Sequence, residues 1–379
     1  MRRGTFVRWG VPIAAAAVIG AAIGAGPVIA AVSGDPVLPE RSAEQLLADA
    51  AAATSKQQGI APMSGTVQQT ASLGLPALPQ TGGETSPLSL LSGSHEVKVW
   101  YGGDQKFRVA MPTQLNETNL IVNGDQGWYW DSATNTATKL TVKAGGEQQH
   151  KTPVPQPTDL TPAQVAQRML EGVDEHSSVR VINTAEVAGR PAYQLVLAPK
   201  DEGSLVQEVR IALDGETYVP LQVQLFAKGS AEPAYQVGFT QVTFTTPAEE
   251  NFAFTPPAGA KVEEATLGGE GFGKQAEERA EHAADVAGEA KWVGDGWSRV
   301  AVVPFKLSDL QAQTAQGGED GNAAALLDTV LKSATPVSGT WGSGKLIKTK
   351  LVTALLTDDG RLLAGAVTPE EIIKAAGVK

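Results

Sequence analysis

The 379-residue chain contains no cysteine. That excludes disulfide frameworks, thiolate nucleophiles and Cys-ligated metals, and it removes the residue that a lipid-modified bacterial lipoprotein requires. Histidine is scarce: His95, His150, His176 and His282 are scattered, and no pair has metal-ligand spacing. Basic residues are in deficit, 30 against 41 acidic, for a net charge of −11. Nucleic-acid phosphates demand the opposite, clustered Lys and Arg. Catalytic motifs are missing too. There is no Gly-x-Ser-x-Gly elbow. The run Gly268-Gly269-Glu270-Gly271-Phe272-Gly273-Lys274 nearly matches a phosphate loop, but Gln275 stands where Ser or Thr should hold the metal, and no apolar strand precedes it. No acid, base and nucleophile converge. The expectation is a protein that is not an enzyme, with no catalytic residue, cofactor, metal or nucleic-acid partner.

What the chain does have begins at its start. Arg2, Arg3 and Arg8 precede an uncharged apolar run of 22 residues, Val11 to Val32. Positive charge before an apolar span keeps the N-terminus in the cytoplasm and exports the chain beyond the span. Pro27 breaks the run, and Val28-Ile29-Ala30 puts small residues at −3 and −1 of a signal-peptidase site. Residues 1–32 therefore read either as a cleaved signal peptide or as a retained membrane anchor, the span being nearly long enough to cross a bilayer. In both cases the bulk of the chain works outside the cytoplasm, secreted across or anchored to the outer face of the cell membrane.

Composition, 42% apolar and 19% charged, leaves room for two ordinary cores beyond this segment. Pro39-Glu40-Arg41-Ser42 starts an amphipathic helix with Ala43, Leu46, Leu47 and Ala50 at spacings of three and four. Period-two stretches come next at Ser64–Thr70, Glu96–Tyr101 and Lys106–Ala110. Residues 119 to 142 then read as a three-strand meander, with an Asn123-Gly124 turn and Trp128 and Trp130 on one strand face. After a Pro- and Gln-rich connector, Thr161-Pro162 opens a second helix. Strands resume at Val179–Asn183, Arg190–Ala198, Gln207–Leu213, Pro220–Phe226 and Ala234–Phe244, with Asp214-Gly215 as a hairpin turn. Leu221, Val223 and Leu225 alternate with Gln222 and Gln224, and Tyr193, Leu195 and Leu197 share a face, so one side of this sheet is apolar and the other wet. The insertion 71–94 carries Leu73, Leu75, Leu78, Leu88, Leu90 and Leu91 among Gly, Pro and Ser, with Glu84 as its one charge. It is either a loop packing its own leucines on the domain or a flap over an apolar groove.

Five ordered pieces now carry a resemblance. They are Gly65-Thr66-Val67-Gln68-Gln69, Lys106-Phe107-Arg108-Val109, Asn123-Gly124 with Trp128-x-Trp130-Asp131, Ala188-Gly189-Arg190-x-Ala192-Tyr193-x-Leu195-x-Leu197-x-Pro199, and Phe252-x-Phe254-x-Pro256-Pro257-x-Gly259. Together, over about 200 residues, the set resembles the LolA superfamily of outer-membrane lipoprotein carriers. The resemblance implies a mainly β fold with helices (α+β): a strongly curved antiparallel sheet, an incomplete barrel, closed by helices around an apolar cavity that receives acyl chains. It implies that Trp100, Phe107, Trp128 and Trp130 line that cavity. Tyr193, Leu195, Leu197, Leu221, Val223 and Leu225, from the apolar side of the later strands, complete the candidate lining.

A charged, Ala-rich stretch from Gln275 to Lys291 reads as a solvated linker helix. Beyond it lie a strand at Lys291–Val303 led in by a turn, a helix at Asn322–Lys332, and a strand at Lys345–Leu356. The chain then turns at Asp359-Gly360 into a strand at Arg361–Val367, and a helix at Pro369–Ala376 is capped by Thr368. This order, with Val300-Ala301-Val302 and the closing Ala364-Gly365-Ala366-Val367-x-Pro369, resembles the C-terminal domain of the RseB/MucB regulators, which implies a smaller α/β domain. The expected organisation is an N-terminal segment at 1–32, a lipid-binding half-barrel at 33–265, a helical linker at 266–291 and a small domain at 292–379. Two functions are implied by the resemblances. One is an extracytoplasmic carrier or chaperone holding the acyl chains of a lipid or lipoprotein near the cell membrane surface. The other is a regulator that binds a membrane-spanning anti-sigma factor and senses envelope lipid.

Overall fold

The computed structural model describes residues 37–53, 61–74, 92–103, 105–142, 175–267, 290–305 and 329–378. The expected helix at 161–170, that at 275–291 except its last two residues, the N-terminal span, and Leu75, Leu78, Leu88, Leu90 and Leu91 of the insertion lie outside the described residues. So does almost all of the expected linker. Among the described residues no helix is long and apolar enough to cross a membrane.

Among the described residues, twelve strands form the first sheet. They are β1 Met63–Ser72, β2 Ser92–Gly103, β3 Lys106–Pro112, β4 Glu117–Asn123, β5 Gln126–Asp131, β6 Thr136–Val142, β7 Ser177–Val187, β8 Arg190–Pro199, β9 Val206–Asp214, β10 Pro220–Ala227, β11 Pro233–Thr243 and β12 Lys261–Leu267. Their order is β12-β6-β5-β4-β3-β2-β1-β11-β10-β9-β8-β7. Two meanders, β1 to β6 and β7 to β11, are thus joined where β1 pairs with β11. The sheet is not closed into a barrel. It is also mixed, because β12 runs parallel to β6 while the other pairs are antiparallel. That corrects the expectation of a purely antiparallel sheet: β12, rich in Glu and Lys, has no alternation strong enough to mark it as a strand.

Turn chemistry explains most connections. Gly124, at φ 67°, carries the β4–β5 turn, and Ala188 and Gly189, at φ 53° and 74°, form a two-residue left-handed turn between β7 and β8. Such mirror-image turns match the twist of the strands they join. Asp214-Gly215 is not the tight hairpin its sequence suggests. Asp214 is fully buried and its carboxylate accepts hydrogen bonds from the backbone N–H of Glu216 (3.2 Å) and Thr217 (2.8 Å) and from the Thr217 hydroxyl (2.9 Å). It is also ion-paired with Arg190, whose guanidinium lies 5.0 Å over the Phe244 ring. The longer loop 215–219 is therefore wrapped around one buried carboxylate.

The helix α1, Ala43–Ala53, starts at a reciprocal cap. The Gln45 N–H donates to Ser42 Oγ (3.1 Å) while the Ser42 N–H donates to Gln45 Oε1 (3.0 Å), so two orphan donors of the first turn are satisfied. Leu38 fixes its approach, bonding through both its N–H and its C=O to Asn183 of the edge strand β7. Leu46 then seats, fully buried, on Tyr193, Leu195 and Leu213.

Among the described residues, six antiparallel strands form the second sheet: β13 Lys291–Val293, β14 Val300–Pro304, β15 Thr335–Gly339, β16 Gly342–Lys348, β17 Thr353–Thr357 and β18 Arg361–Gly365, in the order β13-β14-β18-β17-β16-β15. The single strand expected at Lys345–Leu356 is two, because Thr349 folds the chain back: its hydroxyl accepts from the Val352 N–H (2.9 Å) and its own N–H donates to Val352 O (2.8 Å). Helix α2, Pro369–Ala376, is capped by Thr368 and lays Ile372, Ala375 and Ala376 against Val300, Leu346, Leu355 and Leu363. Backbone bonds join the sheets. Leu205 N–H donates to Ala366 O (2.7 Å) and Thr368 N–H to Gly203 O (2.8 Å).

Burial pushes the Asp214 carboxyl up, but its hydrogen bonds from Arg190 and Thr217 outweigh that and hold it below the ordinary range. Its contribution to stability is then complete above the unfolded-state value of about 3.9 and is lost as pH falls through the lower folded-state value. Asp214→Asn should lower stability at neutral pH by about 2–4 kcal/mol, toward the low side for a broken buried pair because Arg190 keeps access to water. Urea unfolding midpoints recorded from pH 6 down to about pH 2 should fall less steeply in the variant than in the parent. Parallel pH profiles would assign the acid sensitivity elsewhere.

Candidate functional site

Opposed residues in neighbouring strands share a face, so the pairing register sorts every side chain of the first sheet. On one face runs the row Ala71, Tyr235, Leu225, Val209, Leu197 and Val179, from β1 across to β7. The next row is Val237, Val223, Ile211, Leu195 and Val181, interrupted only by Gln69. Toward the other edge the same face carries Val97 opposite Val67, then Val99, Val109, Leu120 and Tyr129, then Tyr101, Phe107, Val122 and Leu140. This apolar face runs from β7 to β6, broken where Gln69 of β1 pairs with His95 of β2. Gly65 lets Phe239 lie across it, since a Cβ at Gly65 would come within 2.7 Å of that ring.

The opposite face is polar over its middle. Gln68 Nε2 donates to Ser94 Oγ (2.9 Å), Gln224 Nε2 donates to Gln236 Oε1 (2.8 Å), and Glu208 receives both Arg180 (2.8 Å) and Arg210 (2.5 Å). These are the wet partners that the alternation of Gln222 and Gln224 implies.

The ten candidate lining residues divide between the two faces. Phe107, Tyr193, Leu195, Leu197, Val223 and Leu225 stand on the apolar face. Leu221 falls at the irregularity between Pro220 and Gln222 and is fully buried in the central cluster. Trp100, Trp128 and Trp130 stand on the other face, in register with Arg108, Ile121 and Asn119. The segment after β11 crosses them there. Phe252, in a 3-10 turn at Glu249–Phe252, is buried and lies close over Gly102, and Phe254 lies 5.5 Å from Trp128 and 6.0 Å from Trp130 between ring centroids. Lys106 ties the segment down through Glu249 at 2.7 Å. Arg108 covers Trp100 at 5.0 Å and donates twice to Asn119 Oδ1. The tryptophans thus have protein partners. Residue spacing placed Trp128 and Trp130 together but carried no information on which face they occupy.

Several apolar-face residues were not singled out from sequence: Val97, Val99, Tyr101, Tyr235 and Phe239. The alternation Val97-x-Val99-x-Tyr101 was the signal that could have found them. Burial raises the Tyr235 phenol above its ordinary range. Of the candidate flap leucines, Leu73 is described, and it packs in one cluster with Leu351 and Trp297 from the second sheet and with Leu225 and Tyr235 from the first. Helix α1 covers the part of the apolar face over β7, β8 and β9. Among the described residues no group of three or more His, Asp or Glu could hold a metal ion.

Fold and site define a mainly β protein built on one long open sheet with an apolar face. No family model matches the chain, and no curated protein matches it. Among solved structures it is similar to the MucA/MucB complex of Pseudomonas aeruginosa, with 13% identity, 88% of this chain and 96% of that chain covered, and a TM-score of 0.39. It is similar to a LolA superfamily protein from Nitrosomonas europaea at 11% identity, covering 57% of this chain and 99% of that one, with a TM-score of 0.22. An uncharacterized conserved protein from Thermus thermophilus is similar at 14% identity, covering 59% and 100%, with a TM-score of 0.31.

Trp130 is 7% exposed and packed under Phe254. Trp130→Ala should therefore lower stability by about 3–5 kcal/mol, the range for truncating a packed aromatic, with fatty-acid uptake by the remaining folded protein unchanged. Denaturant unfolding beside a binding titration checks this. Weakened uptake at full stability would put the tryptophan in the binding site.

Proposed function

We propose that this chain is an extracytoplasmic LolA-like binding protein that holds the acyl chains of a lipid or lipoprotein against the apolar face of its long sheet, as a carrier or chaperone. The observation that carries the reading is the set of apolar rows that runs from β7 to β6, broken at Gln69 and His95, of which α1 covers the part over β7, β8 and β9. Apolar surface left in water costs about 25 cal/mol per Å², and Tyr101, Phe107, Val223, Leu225 and Tyr235 of these rows are only half-buried, so that part of the face suits an apolar partner. Acyl chains suit it because the rows present Val, Leu, Phe and Tyr with few polar groups to satisfy. The Arg-flanked apolar segment at 1–32 supports work outside the cytoplasm, beside a membrane that supplies such ligands. The chemistry is binding and release, with no bond made or broken.

A second reading is a regulator that docks on a membrane-spanning anti-sigma factor and senses envelope lipid. It is favoured by the second sheet, which a simple carrier does not need and which is bonded through its backbone to the 203–205 loop. MucB has been solved together with MucA, and a comparable membrane partner is the candidate here.

Mass spectrometry of the denatured chain after isolation from the cell envelope, beside titration with a fluorescent fatty acid, tests the first reading. Copurified lipid or saturable uptake is expected, and Val223→Thr, which puts one hydroxyl in the middle of an apolar row, should weaken uptake about fivefold or more. No bound lipid and no saturable uptake would sink the carrier reading. A copurified membrane protein in place of lipid would favour the second.

A further inference from the structure

The seam between the two sheets sits at one end of the apolar face. The terminal row of that face includes Tyr235, Leu225 and Val209, and against it stands Leu351, which is 6% exposed, with Trp297 and Leu73 in the same cluster. Leu351 comes from the turn between β16 and β17, so the second sheet supplies it. That turn is held rigidly. Thr349 closes it through its hydroxyl and backbone, the Lys350 N–H donates to Leu73 O (2.8 Å), and Lys350 Nζ donates to Ser72 Oγ (2.8 Å). On its other side Trp297 Nε1 donates to Ser177 Oγ (2.6 Å).

A chain lying across the apolar rows, parallel to the strands, meets this cluster at the last row. We infer that Leu351 is an end wall: the second sheet sets the length of acyl chain that the first sheet accepts. The inference rests on the proposed acyl binding and adds the residue that determines its specificity. A wall of this kind must be apolar, buried and fixed by bonds that the ligand does not make. Leu351 meets all three conditions, since its turn is fastened to Ser72 and Leu73 at the root of the insertion and not to the rows themselves. It also gives the second sheet a part in ligand selection.

The test uses the full chain, isolated from the cell envelope with detergent removed, and saturated fatty acids of increasing length competing against a fluorescent fatty acid. In the parent, affinity should tighten about fourfold for each added methylene, the increment of one buried CH₂, until the chain reaches the wall, and then stop rising. In Leu351→Ala the break should move to chains about three carbons longer, matching the carbons removed from the side chain. In Leu351→Phe it should move to shorter chains. Unfolding midpoints of both variants establish that they are folded, and Leu351→Phe, which opens no cavity, keeps the test sound if Leu351→Ala does not fold. The same break in the parent and the folded variants, or a parent with no break at all, would overturn the wall while leaving acyl binding intact. A parent that takes up no chain of any length overturns both.

Discussion

An apolar face as long as that of the first sheet has to be covered, and the placement of helix α1 and of the second sheet answers that need. Alternation along β1 to β11 puts most of their Val, Leu and Tyr on one side, and the pairing register lines them into rows that cross several strands. A one-residue slip in any strand would send its apolar set to the polar side, so the pairing is held in place by the same face that needs a cover. Helix α1 is the cover over β7, β8 and β9. Its reciprocal Ser42–Gln45 cap and the two bonds from Leu38 to Asn183 fix its start, and Leu46 completes a cluster with Tyr193 and Leu195.

The second sheet provides cover at another place. Leu351 and Trp297 are brought to the end of the apolar rows, and the backbone bonds between 203–205 and 366–368 hold them there. Placing apolar side chains from one sheet on the end of another makes the seam a part of the apolar face. A ligand on that face would touch residues from both sheets.

The polar face obeys a different rule. Its amides and ions satisfy each other, as Gln224 does with Gln236 and Glu208 with two arginines, and they leave the tryptophans at one end as the apolar patch of that side. The strap from Glu249 to Gly259 covers that patch with Phe252 and Phe254. The Phe-x-Phe-x-Pro-Pro motif thus has a structural part, which is to cover the two indoles of β5.

Much of this was legible in the chain. Alternation and turn residues located the strands β1 to β11 to within a few residues, the cap at Thr368 and the helix after it, and the apolar and wet sides of β8 and β10. Local rules suffice there because a strand's two faces are determined by its own period and a helix start by its own cap. Sequence could not show that β12 pairs in parallel with β6, that Asp214 organises a five-residue loop instead of a tight turn, or that Trp128 and Trp130 face away from Phe107. Each of those depends on partners far away along the chain: Thr136 to Val142 for β12, Arg190 for Asp214, Phe254 for the tryptophans. Period two says which residues share a side but never which side is covered, and it is tertiary packing, by α1 on one face and by Phe254 on the other, that decided it.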